Sequence, residues 1–146
     1  GRTRSLVFFQ LEKRLRIVDF PGYGYSKIPL NIEHQINKII DQYLKKRKCI
    51  EKLFLLIDSK HGFKGKDEEI IKELDILFKD KVFIIFTKKD RVNNLNEKEN
   101  LKKHNEKASN LFNKKFFNTS IKEINTIILL KKFMMNSSMG NNENIK

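Results

Sequence analysis

The amino-acid sequence predicts an α/β layered fold. Two observations lead to this prediction: short apolar runs alternate with longer segments of helical periodicity, and polar loops follow where the apolar runs end. Runs that are apolar throughout are typical of strands covered on both faces of a parallel sheet. In folds of this kind, ligands bind beyond the carboxyl ends of the strands. The loops that follow the strands are therefore the first places to look for function.

Two predicted strands open the chain. Residues 5–12 and residues 15–19 are rich in apolar and β-branched side chains, and only Lys13 and Arg14 separate them. So short a connection predicts that the two strands form an antiparallel hairpin.

Helices and strands alternate through the rest of the chain. Residues 31–48 carry isoleucines at i, i+4, i+7 and i+8, the spacing of a half-buried helix. Asp67 is predicted to cap a helix, and Asn94 with Glu97 forms a capping-box pattern. The remaining predicted elements are strands over 53–58 and 82–86, a helix from 94 to about 113, a strand that begins at 116 and a helix over 124–134. Residues 1–135 are predicted to form one domain, and residues 136–146, rich in Asn, Ser and Gly, a disordered tail.

The composition indicates a basic globular protein with polyanionic partners. The 146 residues include 31 Lys and Arg against 18 Asp and Glu, for a formal net charge of +13. Such a charge favours RNA first and anionic membrane surfaces second, although a general compositional bias would give the same total. No apolar run approaches the ~20 residues that a membrane span needs, so no membrane-spanning segment is predicted. Of the two polyanionic candidates, RNA and not a membrane is the expected partner.

Cysteine usage indicates a reducing compartment. Cys49 is the single cysteine, which excludes a disulfide within the chain. The cytoplasm and the matrix of an organelle both fit this expectation.

The loop after the second strand, Asp19-Phe20-Pro21-Gly22, has the chemistry of a phosphate and magnesium sensor. Asp19 supplies a hard oxygen for Mg²⁺, usually through a water. Gly22 lets a backbone N–H approach a terminal phosphate without a Cβ in the way. An ordinary Pro-Gly turn is the alternative interpretation.

The loop after the strand over 82–86 reads Thr87-Lys88-Lys89-Asp90. A carboxylate at Asp90 can accept two hydrogen bonds from the N1–H and N2–H₂ edge of guanine, a pattern that adenine does not offer. The aliphatic stem of Lys88 can lie over the base. In so lysine-rich a chain, a solvated turn is the alternative.

Two further positions are weaker signals. Thr119 and Ser120 follow the last strand, and small residues there let backbone N–H groups reach a base carbonyl; a helix N-cap is the alternative. Thr3 precedes the first strand, where its hydroxyl could be a direct Mg²⁺ ligand. Along the chain these signals occur in the order Thr3, D-F-P-G, T-K-K-D and T-S. This is the order of the guanine-nucleotide loops in P-loop GTPases.

On these residues the chain resembles the EngB/YsxC family of ribosome-biogenesis GTP-binding proteins, within the P-loop GTPases. The motifs that carry the resemblance are G-R-T-R-S-L-V-F-F, L-R-I-V-D-F-P-G-Y-G-Y-S-K, Y-L-K-K-R, L-L-I-D-S-K-H-G, F-T-K-K-D and the T-S pair. The continuation P-G-Y-G-Y and the D-S-K-H-G segment are more specific to this family than the general GTPase loops.

The resemblance implies a three-layer sheet with helices on both faces, GTP or GDP and Mg²⁺ as ligands, and a monomer that acts on the large-subunit precursor of the ribosome, its rRNA and proteins. It implies GTP hydrolysis as the family's activity, but assigns no catalytic residue here. The ligand-binding residues it implies are Thr3 and Asp19 for the metal and the switches, Gly22 for phosphate, Thr87, Lys88 and Asp90 for guanine, and Thr119 and Ser120 for the base-contacting loop.

The phosphate-binding motif G-x-x-x-x-G-K-[ST] does not occur in the sequence. Gly62 to Asp67 is the nearest imitation, with the wrong spacing and no Ser or Thr after Lys66. We therefore expect an N-terminally truncated GTPase fold, without its first strand, P-loop and first helix, that binds GTP weakly or not at all on its own. The alternative is a basic RNA- or ribosome-binding α/β module that works without nucleotide.

Overall fold

The computed structural model describes residues 5–11, 15–22 and 30–136. Thr3, the turn at Lys13 and Arg14, and nearly all of the predicted tail lie outside these residues. The chain divides into two compact units, residues 1–50 and residues 51–146, and each is described by itself.

The first unit contains the predicted hairpin and one helix. Strands β1 (Val7–Leu11) and β2 (Leu15–Asp19) pair antiparallel. Helix α1 (Leu30–Lys46) carries Tyr43, whose ring lies edge-on to Phe8 and Phe20, at centroid distances of 6.1 and 5.6 Å. The aromatic contacts therefore join the helix to the hairpin.

The second unit is built on a parallel sheet in the order β3-β4-β5. Its strands are β3 (Leu53–Asp58), β4 (Val82–Thr87) and β5 (Phe116–Asn118). Ile84 and Phe86, on the central strand, are completely buried. The strands that the apolar runs predict are thus confirmed, because a central parallel strand is apolar on both faces.

Helices follow each strand of this sheet. Helix α2 is Gly65–Phe78, α3 is Leu95–Glu106 and α4 is Ile124–Asn136. One π-helical turn, Lys107–Leu111, continues α3. No helix of the described residues is both long and apolar enough to cross a membrane.

Side chains from helix α4 and from the loop that leads into helix α2 cover opposite faces of the parallel sheet. Phe133 of α4 packs against Phe83 and Phe117, each with a centroid separation of 4.9 Å. Phe86, which is of opposite parity to Phe83 along β4, contacts Phe63 at 5.4 Å. Successive residues of a strand point to opposite faces, so the two contacts lie on different sides of the sheet. The predicted arrangement of helices on both faces is confirmed for this unit.

One predicted helix cap is wrong in its position. Asp67 does not precede α2 but lies within its first turn, where its Oδ2 accepts a hydrogen bond from the backbone N–H of Lys64 at 2.7 Å. An acidic residue is favoured both at the N-cap and in the first turn, so residue type alone did not separate the two positions.

The predicted cap of α3 is confirmed. The Asn94 Oδ1 accepts a hydrogen bond from the backbone N–H of Glu97 at 2.8 Å. In return, Glu97 Oε2 accepts from the backbone N–H of Asn93 at 2.8 Å. The two side chains therefore satisfy backbone donors that the helix itself leaves without partners.

Candidate functional site

The carboxyl ends of the three parallel strands form one edge of the sheet. We call this region the strand-end corner, defined by Asp58, residues 87–91 and residues 118–126. It contains two loops that the sequence singles out, one after β4 and one after β5.

Backbone hydrogen bonds continue past the ends of the strands and join the two loops. The N–H of Thr119 donates to the carbonyl of Phe86 at 2.7 Å, and the N–H of Lys89 donates to the carbonyl of Thr119 at 3.0 Å. On the other side, the Thr87 hydroxyl donates to the carbonyl of Ile57 at 3.3 Å. Main-chain bonds therefore fix the two loops relative to each other, and the Thr87 hydroxyl joins the end of β4 to β3.

Asp90 lies at the centre of the corner. Its Oδ1 accepts a hydrogen bond from the Ser120 hydroxyl at 2.6 Å, and its Oδ2 lies 3.2 Å from Lys122 Nζ. The hydrogen bonds from Ser120 and then Lys122 hold the pKa of the Asp90 carboxyl below its usual range. The Asp90 side chain is 18% exposed, whereas that of Lys122 is 75% exposed. Asp90 is thus a partly enclosed, ionised carboxylate that is paired with the exposed ammonium group of Lys122.

Lys88 adopts the left-handed conformation, with φ of 57°, which a residue with a side chain seldom takes. Its Nζ lies 2.9 Å from Asp58 Oδ2 at the end of β3. Burial raises the pKa of Asp58, but the hydrogen bonds from Lys88 and from the backbone N–H of Lys60 outweigh it and leave the pKa below its usual range. Asp58 thereby holds the end of the Lys88 side chain.

Ser120 is held from behind by helix α4. Its backbone N–H donates to Thr126 Oγ1 at 3.1 Å, and the Thr126 hydroxyl donates to the carbonyl of Glu123 at 2.7 Å. The Ser120 Oγ also accepts from the backbone N–H of Lys122 at 3.1 Å. Helix α4 begins at Ile124, so Ser120 orders the loop before the helix rather than capping the helix itself.

The arrangement suits a flat ligand that presents two adjacent hydrogen-bond donors. An ionised carboxylate has about four lone-pair positions, and Ser120 occupies one of them at Asp90. Displacing the exposed ammonium of Lys122 frees the other oxygen. The N1–H and N2–H₂ edge of guanine fits such a carboxylate, and the edge of adenine does not.

Five of the predicted site residues meet in this corner: Thr87, Lys88, Asp90, Thr119 and Ser120. The hydroxyls of Thr87 and Thr119 are bonded to backbone carbonyls, Thr119 donating to Phe86 at 3.3 Å. The solvated-turn alternative for the T-K-K-D loop does not describe Asp90, which is partly enclosed and bonded.

Asp19 and Gly22 belong to the first unit. Asp19 is the last residue of β2 and is exposed, and Gly22 is exposed three residues later. Among the described residues, no group of three or more His, Cys, Asp and Glu side chains could hold a metal ion. A single exposed carboxylate is a hard oxygen donor and fits a water-mediated contact to Mg²⁺.

Three residues of the corner were not assigned from the sequence: Asp58, Lys122 and Thr126. Asp58 ends its strand with a carboxylate as Asp19 does, which was a usable signal. Lys122 and Thr126 gave none that separates them from the many other Lys and polar residues of the chain.

A parallel sheet with helices on both faces and polar loops at its carboxyl edge defines an α/β protein of the kind that binds ligands beyond the ends of its strands. The family model described as "50S ribosome-binding GTPase" matches residues 1–89, and the chain belongs to this family. The match ends just before Asp90. The resemblance to the EngB-type proteins stated above is confirmed.

Curated relatives agree with this assignment. A probable GTP-binding protein EngB of Coxiella burnetii (strain CbuG_Q212) is 38% identical over 92 residues, which are 63% of this chain and 44% of the relative. The EngB protein of Rickettsia felis is 41% identical over 100 residues, 66% of this chain and 47% of the relative. The chain spans about half the length of the curated relatives it matches.

Two solved structures share the fold. A crystal structure of a probable GTP-binding protein EngB superposes with a TM-score of 0.65 at 22% identity, over 93% of this chain and 84% of that one. Era in complex with MgGDPNP and a 16S ribosomal RNA fragment gives a TM-score of 0.66 at 20% identity, over 100% of this chain and 48% of that one.

Proposed function

We propose that this chain is the guanine-recognising part of a GTP-binding protein that acts in assembly of the large ribosomal subunit. The observation that carries the proposal is the Asp90 carboxylate, fixed by the Ser120 hydroxyl at 2.6 Å at the carboxyl edge of a parallel sheet. The description of the family as ribosome-binding GTPases supports the ribosomal role, and the relatives named as GTP-binding proteins support the binding of GTP. The compartment we propose is the cytoplasm or an organelle matrix.

Each residue of the corner has a separate role in this proposal. Asp90 accepts the two donors of the guanine edge, and the Lys88 stem, anchored at Asp58, covers one face of the base. Backbone N–H groups beside Ser120 donate hydrogen bonds to the carbonyl oxygen of the base. Thr87 and Thr119 hold the loops through their bonds to Ile57 and Phe86.

We propose that Asp19 contacts Mg²⁺ through a water, that Gly22 offers its N–H to the terminal phosphate, and that Thr3 is a direct metal ligand. A bound Mg²⁺ would supply positive charge that offsets the charge of the phosphates. No catalytic residue is proposed.

Affinity for the phosphates is expected to be low in residues 1–146 by themselves. The sequence supplies no G-x-x-x-x-G-K-[ST] segment, whose N–H groups and Lys hold the β and γ phosphates. Fusing the amino-terminal segment of the Coxiella burnetii relative before Gly1 should increase the affinity for fluorescent mant-GDP. Equal affinity with and without that segment would contradict this part of the proposal.

The decisive test of guanine recognition is Asp90→Asn in the fused chain. The asparagine side chain can accept a hydrogen bond from N1–H of xanthine and donate one to its O2 atom. In guanine, the N–H of the asparagine would face the N2–H₂ group, which is also a donor. We expect the affinity for mant-GDP to fall by about 100-fold or more, because the bond from N2–H₂ is lost to a donor–donor contact and the bond from N1–H no longer reaches a charged group, while the affinity for mant-XDP rises. Asp80→Asn, in the exposed turn before β4, removes the same charge and should change neither. An unchanged ratio of GDP to XDP affinity in Asp90→Asn would refute the role of Asp90.

A second candidate function has one observation in its favour, the net charge of +13. It is a basic RNA- or ribosome-binding module that works without nucleotide. This function predicts salt-sensitive RNA binding that is the same with and without GTP and is unaffected by Asp90→Asn.

A further inference from the structure

A second cationic feature lies at the opposite edge of the parallel sheet. Lys52 directly precedes β3 and Lys115 directly precedes β5, so both lie where the strands begin. The strand-end corner lies where the same strands end. With a rise of about 3.3 Å per residue along the six residues of β3, the two edges are roughly 20 Å apart.

The two ammonium groups share one aromatic ring. Lys115 Nζ lies 4.3 Å from the centroid of the Phe133 ring, and Lys52 Nζ lies 4.7 Å from it. Lys115 Nζ is also 5.5 Å from the centroid of Phe117, whose ring packs on Phe133. Attraction to the ring faces holds both cations in place. We call these four residues the Phe133 platform.

A backbone acceptor holds Lys52 as well. Its Nζ donates to the carbonyl of Phe133 at 3.1 Å, in the last turn of α4, where carbonyls have no partner within the helix. This bond uses one of the three N–H donors of the ammonium group. Lys52 therefore has a structural role at the end of α4 and still has donors for a ligand.

The platform concentrates positive charge. Burial lowers the pKa of Lys52, the charge of Glu51 raises it, and the charge of Lys115 lowers it further. The two ammonium groups are thus close enough to repel each other, and an anion between them would relieve this repulsion. Lys81 is next to Lys52 in the strand register, because Leu53 pairs with Val82, and Lys131 and Lys132 directly precede Phe133 in α4.

We propose that the Phe133 platform binds RNA through a backbone phosphate placed between Lys52 and Lys115. The proposal rests on the ribosomal partner of the proposed function but not on nucleotide binding. RNA is favoured over an acidic peptide because the lysines extend along the edge of the sheet and into α4, which suits a continuous polyanion. Displacement of counterions from the RNA supplies the driving force.

The test measures binding of a fluorescein-labelled 20-nucleotide oligo(U) RNA to residues 1–146 by anisotropy, at several salt concentrations and without nucleotide. Lys52→Gln/Lys115→Gln should weaken binding at least tenfold. The slope of log affinity against log salt should become shallower by about 0.7, since the proposal has one phosphate contact and each contact on single strands contributes about 0.7. Lys52→Arg/Lys115→Arg keeps charge and ring stacking and should retain binding.

The matched control is Lys98→Gln/Lys103→Gln, which removes two exposed lysines from α3. If the two double Gln variants lose the same affinity for RNA, the attraction is diffuse and the proposal is overturned. Undiminished RNA binding by Lys52→Gln/Lys115→Gln would also overturn it. If the protein binds poly-glutamate more tightly than RNA, and Lys52→Gln/Lys115→Gln loses that binding, the partner is an acidic protein and the proposal is overturned.

Thermal melts show whether each variant is folded. The variant Lys52→Arg/Lys115→Arg separates loss of charge from loss of the bond to Phe133. Asp90→Asn should leave RNA binding unchanged, so failure of guanine recognition and failure of this proposal are distinguishable.

Discussion

The Ser120 hydroxyl donates a 2.6 Å hydrogen bond to the Asp90 carboxylate, across a sequence separation of 30 residues. This bond joins the loop after β4 to the loop after β5. It keeps Asp90 ionised and fixes the direction of its free lone pairs. The bond thereby holds the carboxylate in the geometry that is proposed to recognise guanine.

Ser120→Ala should raise the pKa of Asp90 toward its ordinary value, because the hydrogen bond from Ser120 is the largest cause that lowers it. An NMR titration of the carboxyl carbon measures this pKa directly. The control is Ser109→Ala, an exposed serine in the π-helical turn after α3, which should leave the Asp90 titration unchanged. The same Asp90 midpoint in Ser120→Ala and in the unmodified chain would contradict the bond.

Glu97 should make stability depend on pH in the acid range. The backbone N–H of Asn93 and then the Lys60 ammonium, at 3.0 Å from Oε1, lower the pKa of Glu97 to about 2. A carboxyl whose pKa is lower in the folded state than in the unfolded chain, where it is about 4.3, stabilises the fold at pH values above about 4.3. This stabilisation disappears as the pH falls toward about 2. Thermal melts between pH 5 and pH 3 should therefore show a smaller pH dependence in Glu97→Gln than in the unmodified chain. Glu99→Gln, at an exposed position of the same helix, should retain the full dependence.

His104 should add a pH dependence nearer neutrality. Its Nδ1 accepts a hydrogen bond from the backbone N–H of Phe63 at 3.2 Å, which requires the neutral ring with its proton on Nε2. Burial, and then the charge of Lys107, lower the pKa of His104, while Glu68 opposes them. The unfolded chain takes up a proton below about pH 6.5 before the folded chain does, so stability should decrease as pH falls from 7 to 5.

The test of this dependence is His104→Asn, since an asparagine Oδ1 can accept the same hydrogen bond without titrating. Urea denaturation of His104→Asn should lose the slope between pH 7 and pH 5. His61→Asn, at an exposed histidine beside the same loop, should keep it. Persistence of the slope in His104→Asn would assign it to other groups.

Gly62 and Gly65 should respond in opposite directions to the same substitution. Gly62 has φ of +64°, and a methyl group there would collide with the imidazole of His104. Gly62→Ala should therefore lower the free energy of unfolding by about 1–2 kcal/mol for the left-handed backbone alone, and by more for the collision. Gly65 begins α2 with open space around it, so Gly65→Ala should be neutral or stabilise by up to about 1 kcal/mol. Urea titrations of both variants measure the difference.

The sequence predicts the elements of the second unit because its strands are apolar throughout. The predicted bounds of β3 agree with the structure, and β4 is longer by the single residue Thr87. The position of Asp67 within α2 was not predictable, since the backbone, and not the residue type, decides where the first turn begins.

The contacts of the site were predictable only in part. That Asp90 and Ser120 meet follows from the parallel order of β4 and β5, which the alternation of strands and helices already indicates. That Lys88 reaches Asp58, and Lys122 reaches Asp90, depends on the rotamers of long side chains in a chain with many lysines. Periodicity carries no information on such pairs.

The hydrogen bonds of Thr119 to Phe86 and of Lys89 to Thr119 have a consequence for the timing of ligand entry. Because the main chain fixes both loops, a base need not wait for them to close or open, motions that take nanoseconds to microseconds. The moving part is the exposed Lys122 side chain, which can leave Asp90 on the picosecond-to-nanosecond scale of a rotamer change. At the proposed guanine site, little conformational entropy would then be lost when a base binds, and we expect diffusion rather than loop motion to set the rate of binding.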